Sequence, residues 1–194
     1  MRPARPGLGK SLVDTVCLPE TEKSSPAAIG DLYDTHRDRV FAWALRYTAG
    51  DQDLAEDLVQ EVFLKALQCS KVLERPSELA GWLYRVTANL ALNRLRAKRS
   101  FIKSVVRLLG DARPEPSLPS AELELREETT AALALLGRLP DRERVVVTMK
   151  LIDDQSQREI AHALGMSEGY VSKLLARALE RLKGMGWEAD DGNQ

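Results

Sequence analysis

Cysteine and histidine are almost absent from this 194-residue chain. Cys17, Cys69, His36 and His162 are all it has. No Cys-x-x-Cys and no paired-histidine spacing occurs, so no structural zinc site and no metal is expected. Two lone cysteines, read as unpaired, fit a reducing compartment. Long apolar runs are missing too. Arg2, Arg5 and Lys10 are followed by no continuous apolar core, and Pro3, Pro6, Gly7 and Gly9 interrupt the segment. Neither a signal peptide nor membrane insertion is expected, and cytoplasm is the default location. No stretch alternates apolar and polar residues as a half-buried strand would. No Gly-rich phosphate loop and no nucleophile–base pair is evident, so neither an enzyme nor a cofactor is expected. An overall positive excess, common in DNA binders, is lacking as well: the formal net charge is -1.

What the chain does have is helical periodicity and charge sorted by region. Charged residues make up 29% and hydrophobic ones 44%, which is the balance of a globular protein. Between Ile29 and Val62, Asp31, Asp34, Asp38, Asp51, Asp53, Glu56, Asp57 and Glu61 are set against only Arg37, Arg39 and Arg46. Between Leu79 and Gly110 stand Arg85, Arg94, Arg96, Lys98, Arg99, Lys103 and Arg107, with no acid. That asymmetry points to two surfaces with different partners.

The fold class is read as all-α, with two small helical domains joined by a linker. Residues 1–28, rich in Pro, Gly, Ser and charge, read as a flexible N-terminal extension. Residues 29–99 read as the first domain, with helices at about 29–48 and 52–69 and a third capped by Ser77. Gly50-Asp51 breaks the first helix. Residues 100–120 read as a linker; its first half can be helical, and Gly110, Pro114, Pro116 and Pro119 end any helix. Residues 121–187 read as the second domain, with helices at 121–138 and 141–152 and then a helical pair. Residues 188–194 read as a flexible tail.

That pair, Ser156 to Leu182, is the sharpest local signal. Ser156 with Glu159 forms a capping box, Gly165 supplies a left-handed stop, and Ser167 caps the next helix. Val171, Leu174, Leu175, Ala178 and Leu182 recur at helical spacing. Two short helices about a tight Gly turn make a helix-turn-helix, whose second helix enters the DNA major groove. A plain helical hairpin in an α-bundle is the alternative. In the groove reading, Ser167, Glu168, Tyr170, Ser172 and Lys173 lie early, toward base edges. Arg177 and Arg181 lie one turn apart further along, toward phosphate.

Two further faces carry chemistry. On the second helix, Asp53, Asp57, Gln60 and Glu61 share one side. This is either a solvated acidic face or a docking surface for a basic partner. On the third, Arg85, Asn89, Asn93 and Arg96 share a face, with Arg94, Lys98 and Arg99 adding charge. Asn can bond base edges, Arg can bind phosphate or guanine, and Tyr84 could stack on an unstacked base. Trp82 reads as core. An ordinary charged surface helix is the alternative.

With these motifs in place, the chain resembles the extracytoplasmic-function (ECF) group of the sigma-70 family of RNA polymerase sigma factors. The resemblance rests on Asp53-Leu-Ala-Glu-Asp-Leu-Val-Gln-Glu-Val-Phe63, then Trp82-Leu-Tyr-Arg-Val-Thr-Ala-Asn89. Leu139-Pro-Asp-Arg-Glu-Arg144 follows, leading into the helix-turn-helix. It covers about residues 29–185, and the short linker places the chain in the minimal two-domain group. It implies that residues 29–99 are sigma domain 2 and residues 121–187 sigma domain 4. It implies that Asp53, Asp57, Gln60 and Glu61 dock on the β′ coiled coil of core RNA polymerase. Tyr84, Arg85, Asn89, Asn93, Arg96, Lys98 and Arg99, with the loop from Ser70 to Ala80, would open and hold the −10 element. The helix-turn-helix would read the −35 element near the β flap. An anti-sigma factor is a further partner the resemblance admits, beside core polymerase and promoter DNA. Asn93 stands where many relatives carry Asp, with Arg96 kept three positions on; Leu174 stands where a basic residue is common and Tyr170 where Thr is common, and these last two departures bear on −35 preference. The rival reading is a stand-alone helix-turn-helix regulator that binds duplex DNA without polymerase.

Overall fold

The computed structural model describes residues 26–69, 76–109 and 127–187. Seven helices and no strand are found among these residues. They are α1 (Pro26–Tyr47), α2 (Gln52–Leu67), α3 (Pro76–Leu109), α4 (Glu127–Gly137), α5 (Asp141–Leu151), α6 (Gln157–Leu164) and α7 (Glu168–Gly184). Each expected helix has a counterpart. The first residues of the one expected at 121–138 lie outside the described residues, and Ser77, expected as a cap, lies inside α3, which begins at Pro76. The N-terminal extension up to residue 25, most of the loop from Ser70, the Pro-rich half of the linker and the C-terminal tail lie outside the described residues.

Local chemistry explains the breaks. α1 ends where Gly50 takes a φ of 86° and its N–H reaches the Leu45 carbonyl at 2.8 Å. Gly tolerates that left-handed backbone without steric cost. Asp51 then caps α2, its carboxylate accepting from the Leu54 N–H at 3.1 Å. α2 buries Ala55, Leu58, Val59, Val62, Phe63 and Ala66, one stripe against α1 and α3. α3 runs unbroken to Leu109, so the boundary expected after Arg99 falls inside a continuous helix.

α3 is buried on more than one side. Trp82, Leu83 and Tyr84, then Val86, Thr87 and Ala88, then Leu90, Ala91 and Leu92 are all buried. A helix packed on one neighbour shows one stripe. α3 meets α1 and α2 of its own unit and α5 and α6 of the other. α5 goes further: every residue from Glu143 to Met149 is buried. It sits between the first helical unit and the pair α6–α7. One continuous apolar cluster therefore runs from Leu32 to Leu182 through both units.

One expectation is corrected. Cys69 was expected as an unpaired thiol; it is buried and disulfide-bonded. The chain's other cysteine, Cys17, lies outside the described residues. Two cysteines so distant in sequence carry no spacing signature, which is why pairing was not legible.

Candidate nucleic-acid interface

The helix-turn-helix is built as its residues dictate. The Ser156 hydroxyl accepts from the Glu159 N–H at 3.2 Å, and the Glu159 carboxylate accepts from the Ser156 N–H at 2.8 Å. Hydrogen bonding from Ser156 to the carboxylate, first from its side chain and then from its backbone N–H, holds the Glu159 carboxyl below the ordinary value for glutamate. α6 stops at Gly165, whose φ of 61° and ψ of 37° are left-handed. Ser167 caps α7 by accepting from the Tyr170 N–H at 3.3 Å. Ile160, Ala161, Ala163 and Leu164 from α6 meet Val171, Leu174, Leu175, Ala178 and Leu182 from α7 in the core.

The outward side of α7 presents Glu168, Ser172, Lys173 and Arg177 to solvent. Arg177 makes no ion pair among the described residues. Tyr170 is half-buried and held from α5: Arg142 Nη1 donates to its hydroxyl at 2.9 Å, and the guanidinium lies 5.9 Å from the ring centroid. Leu174 is buried and serves packing in the core of the helix pair. Arg181 is not a free cation. Its Nε lies 3.0 Å from Glu143 Oε2, and the Glu143 side chain is only 7% exposed.

On α2, Asp53, Asp57 and Gln60 are exposed, as the docking reading requires. Glu61 is half-buried and pairs with Arg94, whose Nε and Nη2 both reach its Oε2 at 2.8 Å. The sequence reading passed over Leu64. It is 57% exposed and sits three and four positions beyond Glu61 and Gln60, on the same side. An exposed leucine inside a polar stripe was the available signal.

The α3 face differs most from expectation. Asn93 and Arg96 are exposed and Arg85 is half-buried. Tyr84 was expected to offer a stacking surface; it is buried, packed edge-on against Trp43 at 5.0 Å, and its hydroxyl donates to Asp153 at 2.9 Å. Burial pushes its hydroxyl well above the ordinary tyrosine value. The Asn89 amide donates to two carbonyls, Arg85 at 2.8 Å and Ala163 at 2.7 Å. The added cations are all paired: Arg94 with Glu61, Lys98 with Asp51 at 2.7 Å and Arg99 with Asp141 at 3.0 Å. The acids lie far off in sequence, so the strip only looked uncompensated. Trp82 is core, as expected.

Comparison with known proteins decides the family. The Sigma-70 region 2 family model matches residues 32–101, and the Sigma-70, region 4 model matches residues 129–182. The ECF RNA polymerase sigma factor SigL of Mycobacterium tuberculosis is 32% identical over 155 residues, covering 78% of this chain and 85% of that protein. The chain belongs to the ECF group of the sigma-70 family. A probable RNA polymerase sigma factor RfaY of Xanthomonas campestris is 32% identical over 165 residues. That match takes in 83% of this chain, which spans 41% of that protein's length. The fold is shared with a sigma factor from Bartonella quintana, solved in complex with the anti-sigma factor NepR. The two are 20% identical with a TM-score of 0.58, over 80% of this chain and 94% of that one.

Among the described residues no group of His, Cys, Asp and Glu is arranged to hold a metal ion. No helix there is long and apolar enough to cross a membrane.

Proposed function

We propose that this ECF sigma factor acts in the cytoplasm as a promoter-specificity subunit through three surfaces. The exposed side of α2, with Asp53, Asp57, Gln60 and the paired Glu61, docks on the β′ coiled coil of core RNA polymerase, and Leu64 adds an apolar contact at its edge. The α3 face, with Tyr84, Arg85, Asn89, Asn93, Arg96, Lys98 and Arg99, stabilises the melted −10 strand. The α7 surface reads the −35 element: Ser172 and Lys173 at base edges, with Ser167, Glu168 and Tyr170 beside them, and Arg177 on phosphate. The chain binds and orients; polymerase performs the chemistry. An anti-sigma factor is a fitting partner, since one structural relative was solved in complex with such a protein.

The observation that carries this reading is the capped helix-turn-helix with Ser172, Lys173 and Arg177 turned to solvent. It shares one chain with an exposed acidic helix face. A stand-alone regulator would need the first and not the second. Run-off transcription with core polymerase on a promoter library tests the proposal. Promoter-dependent transcripts that require both proteins are expected. Tight duplex binding by the chain alone, with no effect on polymerase, would favour the stand-alone regulator.

A further inference from the structure

Tyr170 is the third residue of α7, and it is fixed at both ends. Its backbone N–H donates to the Ser167 cap at 3.3 Å. Its hydroxyl accepts from Arg142 Nη1 at 2.9 Å, and the guanidinium carbon lies 5.9 Å from the ring centroid. Arg142 is not part of the helix-turn-helix. It stands in the first turn of α5, 28 residues earlier. The Tyr170 ring packs on the core of the helix pair, and the residue is half-buried. A tyrosine turns about only two side-chain torsions, so a bond at its tip removes most of the freedom that packing leaves.

The acids beside Arg142 do not hold it. Asp141 pairs with Arg99 and Arg144, and Glu143 with Arg181. Among the described residues no carboxylate pairs with Arg142, which is exposed and bonds the neutral phenol instead. The direction of that bond carries the consequence. A guanidinium only donates, whereas a phenol both donates and accepts. With Arg142 donating, a lone pair of the hydroxyl is taken, and the hydroxyl's own proton is left for an acceptor outside the protein. Tyr170 is thereby biased toward donation. In the major groove guanine shows only acceptors and thymine an acceptor beside its methyl group, while cytosine shows an amino donor.

We propose that Arg142 is a positioning residue for −35 recognition: it holds Tyr170 as a hydrogen-bond donor at the start of α7, so that Tyr170 selects guanine or thymine over cytosine. Arg142 acts through Tyr170 and itself touches no base. The proposal rests on the −35 surface assigned under the proposed function.

The test uses the full chain bound to core polymerase and a set of −35 duplexes carrying each single base substitution. The parent is compared with Arg142→Ala, Arg142→Lys, Tyr170→Phe, and Arg142→Ala combined with Tyr170→Phe. Arg142→Ala is expected to lower the preference for guanine or thymine over cytosine at one position by about three- to tenfold, the worth of one hydrogen bond. The slope of log affinity against log salt stays parental, since Arg142 is engaged with Tyr170 and not with phosphate. Arg142→Lys, which keeps a donor, restores part of the preference. Tyr170→Phe loses preference at that same position, and adding Arg142→Ala to it changes nothing further. Parental preference in Arg142→Ala, with or without a loss of stability, would overturn the proposal. So would uniform weakening on every duplex with a slope reduced by about 0.9, the mark of a direct phosphate contact, and so would two effects that simply add. A parent indifferent to −35 sequence would overturn the surface assignment itself, and the proposal with it.

Discussion

Arg177 and Arg181 sit one turn apart on α7 and look equivalent in sequence, yet their surroundings predict opposite phenotypes. Arg177 is exposed and has no ionic partner among the described residues, so truncating it to Ala should cost less than ~0.5 kcal/mol of stability. If it meets a phosphate, its loss releases one counterion fewer. The slope of log affinity against log salt should then fall by about 0.9. Arg181 is 55% exposed but lies 3.0 Å from Glu143, whose side chain is 7% exposed. Removing Arg181 strands that carboxylate. Losing one partner of a fully buried pair costs ~3–5 kcal/mol. Here solvent already screens the arginine, and Glu143 lies in the first turn of α5, where the helix dipole favours an anion. A cost of about 1–2 kcal/mol is the reasoned value. Glu143→Gln, placed in the Arg181→Ala background, should recover part of it. Urea unfolding measures the stabilities, and anisotropy titration of −35 duplex by the polymerase-bound factor at several salt concentrations measures the slopes. Equal slopes and equal stabilities for the two alanine variants would refute the reasoning.

Three other outcomes follow from the same geometry. Asp57→Arg with Gln60→Ala alters two exposed positions on α2, so the fold should survive within ~0.5 kcal/mol while binding to core polymerase is lost; a fluorescence titration with core enzyme reads this directly. Asn89→Ala should weaken open-complex formation by about 1–3 kcal/mol more than closed-complex formation, and unchanged permanganate reactivity at −10 would remove Asn89 from that site. Ser156→Ala should cost about 1 kcal/mol by uncapping α6. Because Glu159 titrates below its ordinary value, its share of that cap is complete above the ordinary glutamate range and is lost as pH falls through the lowered value, so the gap in melting temperature between parent and Ser156→Ala should narrow in acid.

The helix-turn-helix was legible because every determinant of it is local. The N-cap, the capping-box glutamate, the left-handed glycine and the second cap lie within a dozen residues, and the structure uses each as sequence spacing dictates. α2 was legible for the same reason: one apolar stripe, one polar side. Legibility stopped where burial comes from the other unit. α5 shows no single stripe, since every residue from Glu143 to Met149 is covered by one neighbour or another. Tyr84 looks like an aromatic on a basic face until Asp153, 69 residues away, takes its hydroxyl. Arg46 meets that same carboxylate across 107 residues. No window of sequence contains such pairs. The charge asymmetry was read correctly as composition and too simply as surface, because Asp51, Glu61 and Asp141 come from other elements to neutralise the α3 cations.

That neutralisation resolves the apparent conflict between a net charge of -1 and a role on DNA. Arg94, Lys98 and Arg99 are each more than half exposed in their ion pairs, and pairs of that kind contribute only ~0–1 kcal/mol apiece in water. Their carboxylate partners hold them weakly. A phosphate backbone offers each cation a comparable contact and releases condensed counterions as it does so. Exchange of partner therefore costs little, and what binding must overcome is the contact between units, not the charge of the chain. Arg99 belongs to both problems at once: its partner Asp141 begins α5 in the second unit. When that pair is exchanged for phosphate, one tie between the units is released by the same event that engages DNA. If the proposed −10 surface engages DNA in this way, strand binding and release of the Arg99–Asp141 tie are coupled, and each favours the other.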